Sequence, residues 1–333
     1  MKRTILTVLI ACTMLGAWPA FAQLEMTKER IMLYTSEWTG ERFDNGRPKL
    51  PDDLLKRALD VGIEDAQDYI RALGYNATFE GGWMGLHLDK PFAGRALTAQ
   101  FMPRRPDMAN AIAAEGKAEG RPVGAGNTRV VNQLVMGDTL VADGYGKIIG
   151  GTLIGGNIAK NFAARTHSGF IFDAGLKDTE EMRSIPFLNG FYRGYDPQSW
   201  SEVQLTGINY PIRIGRAVVL PGDLVLAKTD GVLFIPAQHA AGAIKSAEFT
   251  ALQDAFNDEM TASGANAGGG TPERYAAFLK WVDAHPDKLK MTRAELAAMV
   301  AERSKPRQGG AGRGGAPAGR GGAAGRGGAP PSQ

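Results

Sequence analysis

Cysteine is almost missing from this chain. Cys12 is the only one among 333 residues, and it falls within the first 22. From Gln23 onward there is therefore no disulfide, no thiolate nucleophile and no cysteine-ligated metal. Histidine is scarce too. His87, His167, His239 and His285 are scattered, with no pair at i, i+4, which argues against a histidine metal site. His167 reads as a helix-end residue. No Ser/His/Asp set has a recognisable hydrolase spacing. There is no P-loop, and no GxGxxG follows a strand with an acid about twenty residues on, so a nucleotide reading fails.

Residues 1–22 have the pattern of a secretory signal. Met1-Lys2-Arg3 is a basic head and residues 5–15 are an apolar run too short to span a bilayer. Ala20-Phe21-Ala22 is a small-x-small cleavage site. The expectation is a cut after Ala22, a periplasmic or secreted protein, and no transmembrane segment after cleavage. A cysteine-free mature chain suits that oxidising compartment. The net charge of +3 misleads: two positives lie in the signal and five after residue 304, leaving residues 23–304 at −4. A mildly acidic body argues against nucleic acid as its partner.

With 44% hydrophobic and 22% charged residues, the rest suits one or two globular units. Residues 23–50 read as an irregular N-terminal arm. Pro51-Asp52-Asp53 opens a helix whose apolar spacing runs on to Leu73 and stops at Gly74. Residues 94–101 alternate as a strand, 108–118 form a short helix, and 120–127 read as loop. Residues 139–142 are a buried strand ending at Asp143-Gly144. Later come short apolar runs at 186–192, 210–220, 224–227 and 232–235, separated by Pro221-Gly222-Asp223 and Asp230-Gly231. Residues 237–260 form a helical segment interrupted by Gly242. Thr271-Pro272-Glu273 starts another helix, and Thr292-Arg293-Ala294-Glu295 has a capping-box pattern. From 306 the composition collapses to Gly, Ala, Arg and Pro, which cannot build a core. The expected organisation is signal 1–22, arm 23–50, main domain 51–245, helical extension 246–304 and disordered tail 305–333.

The most informative stretch is 150–183. A glycine-rich turn (Gly150, Gly151, Gly155, Gly156, Asn157) enters a helix at 158–165. A strand at 169–172 follows, then a turn at Asp173-Ala174-Gly175 that presents Lys177 and Asp178. Folded back, this unit brings the glycine turn beside the Lys-Asp pair, so that a small anion and a divalent cation share one pocket.

These pieces together resemble the RraA-like family, which includes the regulator of ribonuclease E activity A and the class II 4-hydroxy-4-methyl-2-oxoglutarate aldolases. The resemblance covers residues 55–245. Its most specific part is Gly156, twenty residues, Lys177-Asp178, two residues and Glu181. Gly137-Asp138-Thr139-Leu140-Val141, Asp143-Gly144, Asn209-Tyr210-Pro211-Ile212, Pro221-Gly222-Asp223 and Asp230-Gly231-Val232 support it in the right order. The resemblance implies an α/β/β sandwich of the swivelling phosphohistidine-domain type, here with extra C-terminal helices, and a homotrimer with pockets between subunits. It also implies a lyase of small 2-oxo or hydroxy acids, such as 4-hydroxy-4-methyl-2-oxoglutarate or oxaloacetate, using Mg²⁺ or Mn²⁺. Carried over, the amides of Gly155, Gly156, Asn157 and Ile158 cradle the substrate carboxylate. Lys177 pairs with that carboxylate, Asp178 binds the metal, and Lys177 and Asp178 form the catalytic pair.

Two positions depart from the aldolase pattern. Lys177 stands where the family has arginine, losing the planar fork that grips a carboxylate with two bonds. Gly156 stands where the aldolases place an aspartate that holds a metal-bound water. Asp143, Glu181 and Glu202 are the acids available to replace it. These departures motivate the alternative expectation, a non-catalytic binding or regulatory protein that keeps the pocket.

Overall fold

The computed structural model describes residues 24–118, 120, 126–264 and 271–304. The expected signal, with its cut after Ala22, and the tail at 305–333 lie outside the described residues.

The arm is not wholly irregular. Thr27 caps a short helix, α1 (Lys28–Tyr34), its hydroxyl accepting from Arg30 N–H. Only Ile31 of α1 is buried, so the sequence carries little periodic signal. Next come α2 (Asp52–Ala58) and α3 (Ile63–Ala72), and Gly74 leaves the helix at φ +96°. Two short edge strands, β1 (Phe79–Glu80) and β2 (Met84–Gly85), precede the long β3 (Phe92–Pro103). Then follow α4 (Pro106–Ala118), α5 (Gly126–Asn132), β4 (Asp138–Lys147), α6 (Gly156–Thr166), β5 (Gly169–Leu176), α7 (Thr179–Arg183), β6 (Asn189–Tyr195) and β7 (Val203–Ile208). A hairpin, β8 (Ile212–Ile214) and β9 (Ala217–Val219), leads to β10 (Leu224–Lys228) and β11 (Gly231–Ile235). The described residues end in α8 (Ala237–Ala262), α9 (Pro272–Ala284) and α10 (Arg293–Arg303). The expected loop at 120–127 lies partly outside the described residues, and its end opens α5.

The main sheet runs β1-β11-β10-β3-β4-β5-β6-β2, with β7 on β3. Pairs β3–β4, β4–β5 and β5–β6 are parallel; the flanking pairs are antiparallel. Strand β5 is buried along its whole length, as expected for a parallel strand covered on both faces. One face packs Leu140, Phe170, Phe172 and Leu176 against Val131 of α5 and Phe162 of α6. The other face packs Val141, Ile171 and Phe191 against Ile212, Ile214 and Val219 of the hairpin. Helices, sheet and hairpin make three layers, the expected α/β/β sandwich with extra C-terminal helices.

Helix α8 is continuous through Gly242. The glycine is there for packing: a Cβ would collide with the Tyr69 hydroxyl of α3. The first half of α8 joins Leu224 and Leu233 in the sheet core, while Phe249 and Phe256 build a separate cluster with Phe278, Trp281 and Leu296. The boundary expected at 245 therefore falls within one helix. Thr271 and the Thr292–Glu295 capping box start α9 and α10 as the sequence reads.

The arm reaches the centre of the body through a buried ion pair. Arg47 is 2% exposed and donates to Asp138 through Nη1 (2.9 Å) and Nη2 (2.7 Å), with Asp138 fully buried. The Phe43 ring lies against the Arg47 guanidinium, 4.4 Å from its centroid. Arg95 completes the group, donating to Leu50 O (2.6 Å) and Asp52 Oδ1 (2.7 Å).

Candidate functional site

Strand β5 ends in the residue pair singled out from the sequence. Lys177 leaves the strand, and Asp178 turns the chain at φ +52° to start α7. Aspartate tolerates this left-handed conformation better than bulky residues do. The turn expected at Asp173-Ala174-Gly175 does not form, because all three lie within β5. Asp173 is ion-paired with Arg193 (2.6 Å), Ala174 enters the helix-side core, and Gly175 lets the Ile148 carbonyl approach the strand. Paired polar atoms and close packing keep the strand going where composition suggested a stop.

The glycine turn connects β4 to α6. Gly150 lies at φ +64°, and a Cβ at Gly151 would meet the Lys147 carbonyl. A buried carboxylate pins this turn to the end of β5. Asp196 accepts from Gly150 N–H, its carbonyl accepts from Thr152 Oγ1 (3.2 Å), and its N–H donates to Leu176 O (3.1 Å). Asp196 was not foreseen. It lies 46 residues from Gly150 and no local pattern marks it.

The fold brings the predicted parts together. Gly156 N–H donates to Asp178 Oδ2 (3.0 Å), and Lys177 Nζ lies 3.8 Å from the same oxygen. Lys177 Nζ also donates to Ser199 Oγ (3.2 Å). A Cβ on Gly155 would stand 2.9 Å from both Asp178 Oδ2 and Lys177 Cε. Gly155 at the N-cap has no side chain to cap α6, so the first-turn amides of Asn157 and Ile158 face the same corner as the Gly156 amide that Asp178 accepts from. Helix dipole and Lys177 together favour a small anion there. The Gly156 amide is already engaged by Asp178, which leaves Asn157, Ile158 and Lys177 as the anion-facing donors.

The space beside Gly156 is filled. A Cβ at that position would collide with the Glu181 carboxylate, whose Oε1 pairs with Lys160 Nζ (2.6 Å). Among the three acids considered from sequence, Glu181 is the one that touches the glycine. Asp143 accepts from Tyr145 N–H (2.9 Å), and burial, with Asp173 nearby, raises its carboxyl above the usual range. Glu202 pairs with Lys147 (2.6 Å). The histidines serve elsewhere: His167 ends α6 at φ +47°, His239 meets Tyr75, and His285 packs on Trp281.

Among the described residues, no three His, Cys, Asp or Glu side chains gather in a group able to cage a metal ion. The donors at the corner are Asp178, whose Oδ1 has no protein hydrogen bond among the described residues, and Glu181 close by. That set fits a hard divalent cation that keeps its waters and takes further oxygens from a ligand. It does not fit an all-protein cage.

A family profile, RraA-like: Aldolase/RraA, matches residues 63–234. The chain belongs to the RraA-like family. A Thermus thermophilus protein named 4-hydroxy-4-methyl-2-oxoglutarate aldolase is 28% identical over 108 residues. That match spans 32% of this chain and 65% of the relative, a little under two thirds of its length. RraAS2 from Streptomyces coelicolor, described as an unusual member of the RNase ES inhibitor RraA family, shares the fold. Its TM-score is 0.53 at 24% identity, over 63% of this chain and 98% of that one. An uncharacterised Pseudomonas syringae protein gives a TM-score of 0.52 at 21% identity, over 69% and 97%. Within this RraA-like chain, no helix among the described residues is long and apolar enough to cross a membrane.

Proposed function

We propose that this RraA-like protein is an exported carbon–carbon lyase that cleaves or decarboxylates a small 2-oxo acid, such as 4-hydroxy-4-methyl-2-oxoglutarate or oxaloacetate. The observation that carries the reading is the Gly156 N–H to Asp178 bond beside Lys177, which joins an anion-facing helix start to a solvent-reachable carboxylate. The substrate carboxylate binds at the Asn157 and Ile158 amides and Lys177. Lys177 places positive charge next to the carbonyl, where negative charge grows as the bond breaks. Bound at Asp178, Mg²⁺ or Mn²⁺ supplies Lewis-acid stabilisation of that charge. Glu181, seated on Gly156, holds the water that takes or returns the proton.

The test is pyruvate release from both substrates with Mg²⁺ or Mn²⁺, using the chain from Gln23 onward. Asp178→Asn is the control, because asparagine still accepts from Gly156 N–H while losing the charge. Turnover in the wild type that falls on the order of a hundredfold in Asp178→Asn is expected, about 2.7 kcal/mol of transition-state stabilisation. Equal rates in the two proteins would sink the assignment. Export predicts an N-terminus at Gln23 on protein recovered outside the cytoplasm. A homotrimer, the family expectation, predicts three chains per particle in light scattering.

One observation favours a second reading. Each carboxylate at the corner has a lysine beside it, Lys177 with Asp178 and Lys160 with Glu181, which offsets the charge a cation needs. A binding or regulatory protein that retains the pocket predicts saturable 2-oxo acid binding with no pyruvate release.

A further inference from the structure

The arm starts beside β7. Leu24 O accepts from Ile208 N–H (2.8 Å) and Met26 N–H donates to Ile208 O (3.0 Å), so that Glu25 pairs in parallel with Ile208. Leu24 is 5% exposed and Met26 8%, and Leu24 shares an apolar cluster with Val130, Leu134, Leu205 and Ile208. Glu25 Oε1 accepts from Arg129 Nε (3.0 Å), Arg129 Nη2 (2.6 Å) and Gln133 Nε2 (2.7 Å), on α5 and just after it. Main chain, apolar side chain and carboxylate are all engaged within residues 24–26.

The expected cut lies between Ala22 and Gln23. Only Gln23 separates that bond from the docked segment. One residue spans at most about 3.6 Å. A peptidase must hold the chain extended on both sides of the bond, and a cleft wall even one strand thick takes about 4.8 Å. Such a wall does not fit between the bond and β7. The residues a cleft would grip next are already committed: Leu24 has given its carbonyl and side chain to the body, and Glu25 its carboxylate.

We propose that residues 24–26 serve two partners in turn, first the peptidase that removes the leader and then the edge of β7. Docking on β7 and processing exclude each other. The leader is cut while the arm is still undocked, and a chain that folds first keeps its leader. Met1-Lys2-Arg3 fits this order, since it holds no arginine pair of the kind that addresses folded proteins for export. The inference rests on the export reading above and on no part of the lyase chemistry.

The test sets a signal peptidase on the full chain, folded and held in mild detergent, and on a synthetic peptide of residues 10–35. The peptide is expected to be cut after Ala22. The native chain should be cut at least about a hundredfold more slowly, because cutting then tracks the fraction of time the arm is open. Arg129→Ala with Gln133→Ala frees Glu25 without changing a residue that the peptidase touches, and should speed cutting of the chain about tenfold. Leu24→Ser, made in chain and peptide alike, should speed the chain relative to its peptide by as much or more. Circular dichroism checks that each variant is folded. Slow hydrogen exchange at the Met26 and Ile208 amides of the chain from Gln23 onward checks the docking without any variant. A native chain cut as fast as the peptide overturns the proposal and leaves the export reading standing. A peptide that is not cut after Ala22 overturns both. Folded variants cut no faster than wild type, or a Met26 amide that exchanges as fast as in the peptide, also overturn the proposal.

Discussion

Replacing Arg47 with methionine tests how the N-terminal arm is held. Arg47 is 2% exposed and Asp138 is fully buried, so neither charge has water to fall back on. Asp138 accepts from Arg47 Nη1 and Nη2 and from Val135 N–H (3.1 Å). After the substitution it keeps the amide and Arg95, whose Nε is 3.5 Å away. Breaking a buried pair by removing one partner costs about 3–5 kcal/mol. The remaining Arg95 charge pulls the value toward the lower end, and loss of the stack on Phe43 adds roughly 0.5–1 kcal/mol. We therefore expect Arg47→Met to lose about 3–4 kcal/mol in urea denaturation followed by circular dichroism. Asp138→Leu alone should cost at least as much, because it leaves two buried guanidinium groups facing each other. The double variant, Arg47→Met with Asp138→Leu, should recover much of the sum, since no uncompensated charge remains. The unpinned arm of Arg47→Met should also be cut first in limited proteolysis, between α1 and Arg47. A loss under about 1 kcal/mol for Arg47→Met, or strict additivity in the double variant, would refute the reasoning.

Two further outcomes follow from the site and the core. Gly156→Ala should change stability by less than about 1 kcal/mol, because the new Cβ pushes aside only the flexible end of Glu181 and an exposed pair with Lys160. It should nonetheless reduce turnover, since Glu181 loses its seat, and a kcat equal to wild type would remove Glu181 from the proposed chemistry. Asp223 accepts from Leu220 N–H (2.8 Å) in a fully buried position, and burial pushes its carboxyl up to about 7. The folded state then holds a proton that the unfolded state releases from about pH 4, so this residue lowers stability as pH rises from about 4 to 7. Asp223→Asn, which keeps the acceptor, should flatten that slope by up to about 1.4 kcal/mol per pH unit in the difference between the two proteins. Parallel pH–stability curves for wild type and variant would contradict a buried, proton-holding Asp223.

Much of the site was readable because its parts are local. Gly156, Lys177, Asp178 and Glu181 lie within one helix–strand unit, and the parallel pairing of β4 with β5 sets the end of β5 beside the end of β4, from which the glycine turn leads into α6. Of the three acids considered for the space beside Gly156, only the α6–α7 packing shows that Glu181 lies against the glycine. Asp196 and Ser199 escaped notice because they reach the corner from after β6, with nothing in the intervening chain to mark them. The turn at Asp173-Ala174-Gly175 misled for the reverse reason. Its residues favour turns in isolation, but Arg193 and the Ile148 carbonyl supply partners for a buried strand.

The amino-acid sequence by itself determined the buried strands, the capped C-terminal helices and the Gly156–Lys177–Asp178 unit. Each rests on periodicity, a cap or a short-range spacing, which are properties of neighbouring residues. Only the tertiary structure decided that Glu181 fills the glycine's space, that Arg47 threads the arm into the core, and that Gly242 passes through an unbroken helix against Tyr69. Those are contacts between segments far apart in the chain. Their energies come from burial and from partners that no local pattern can name.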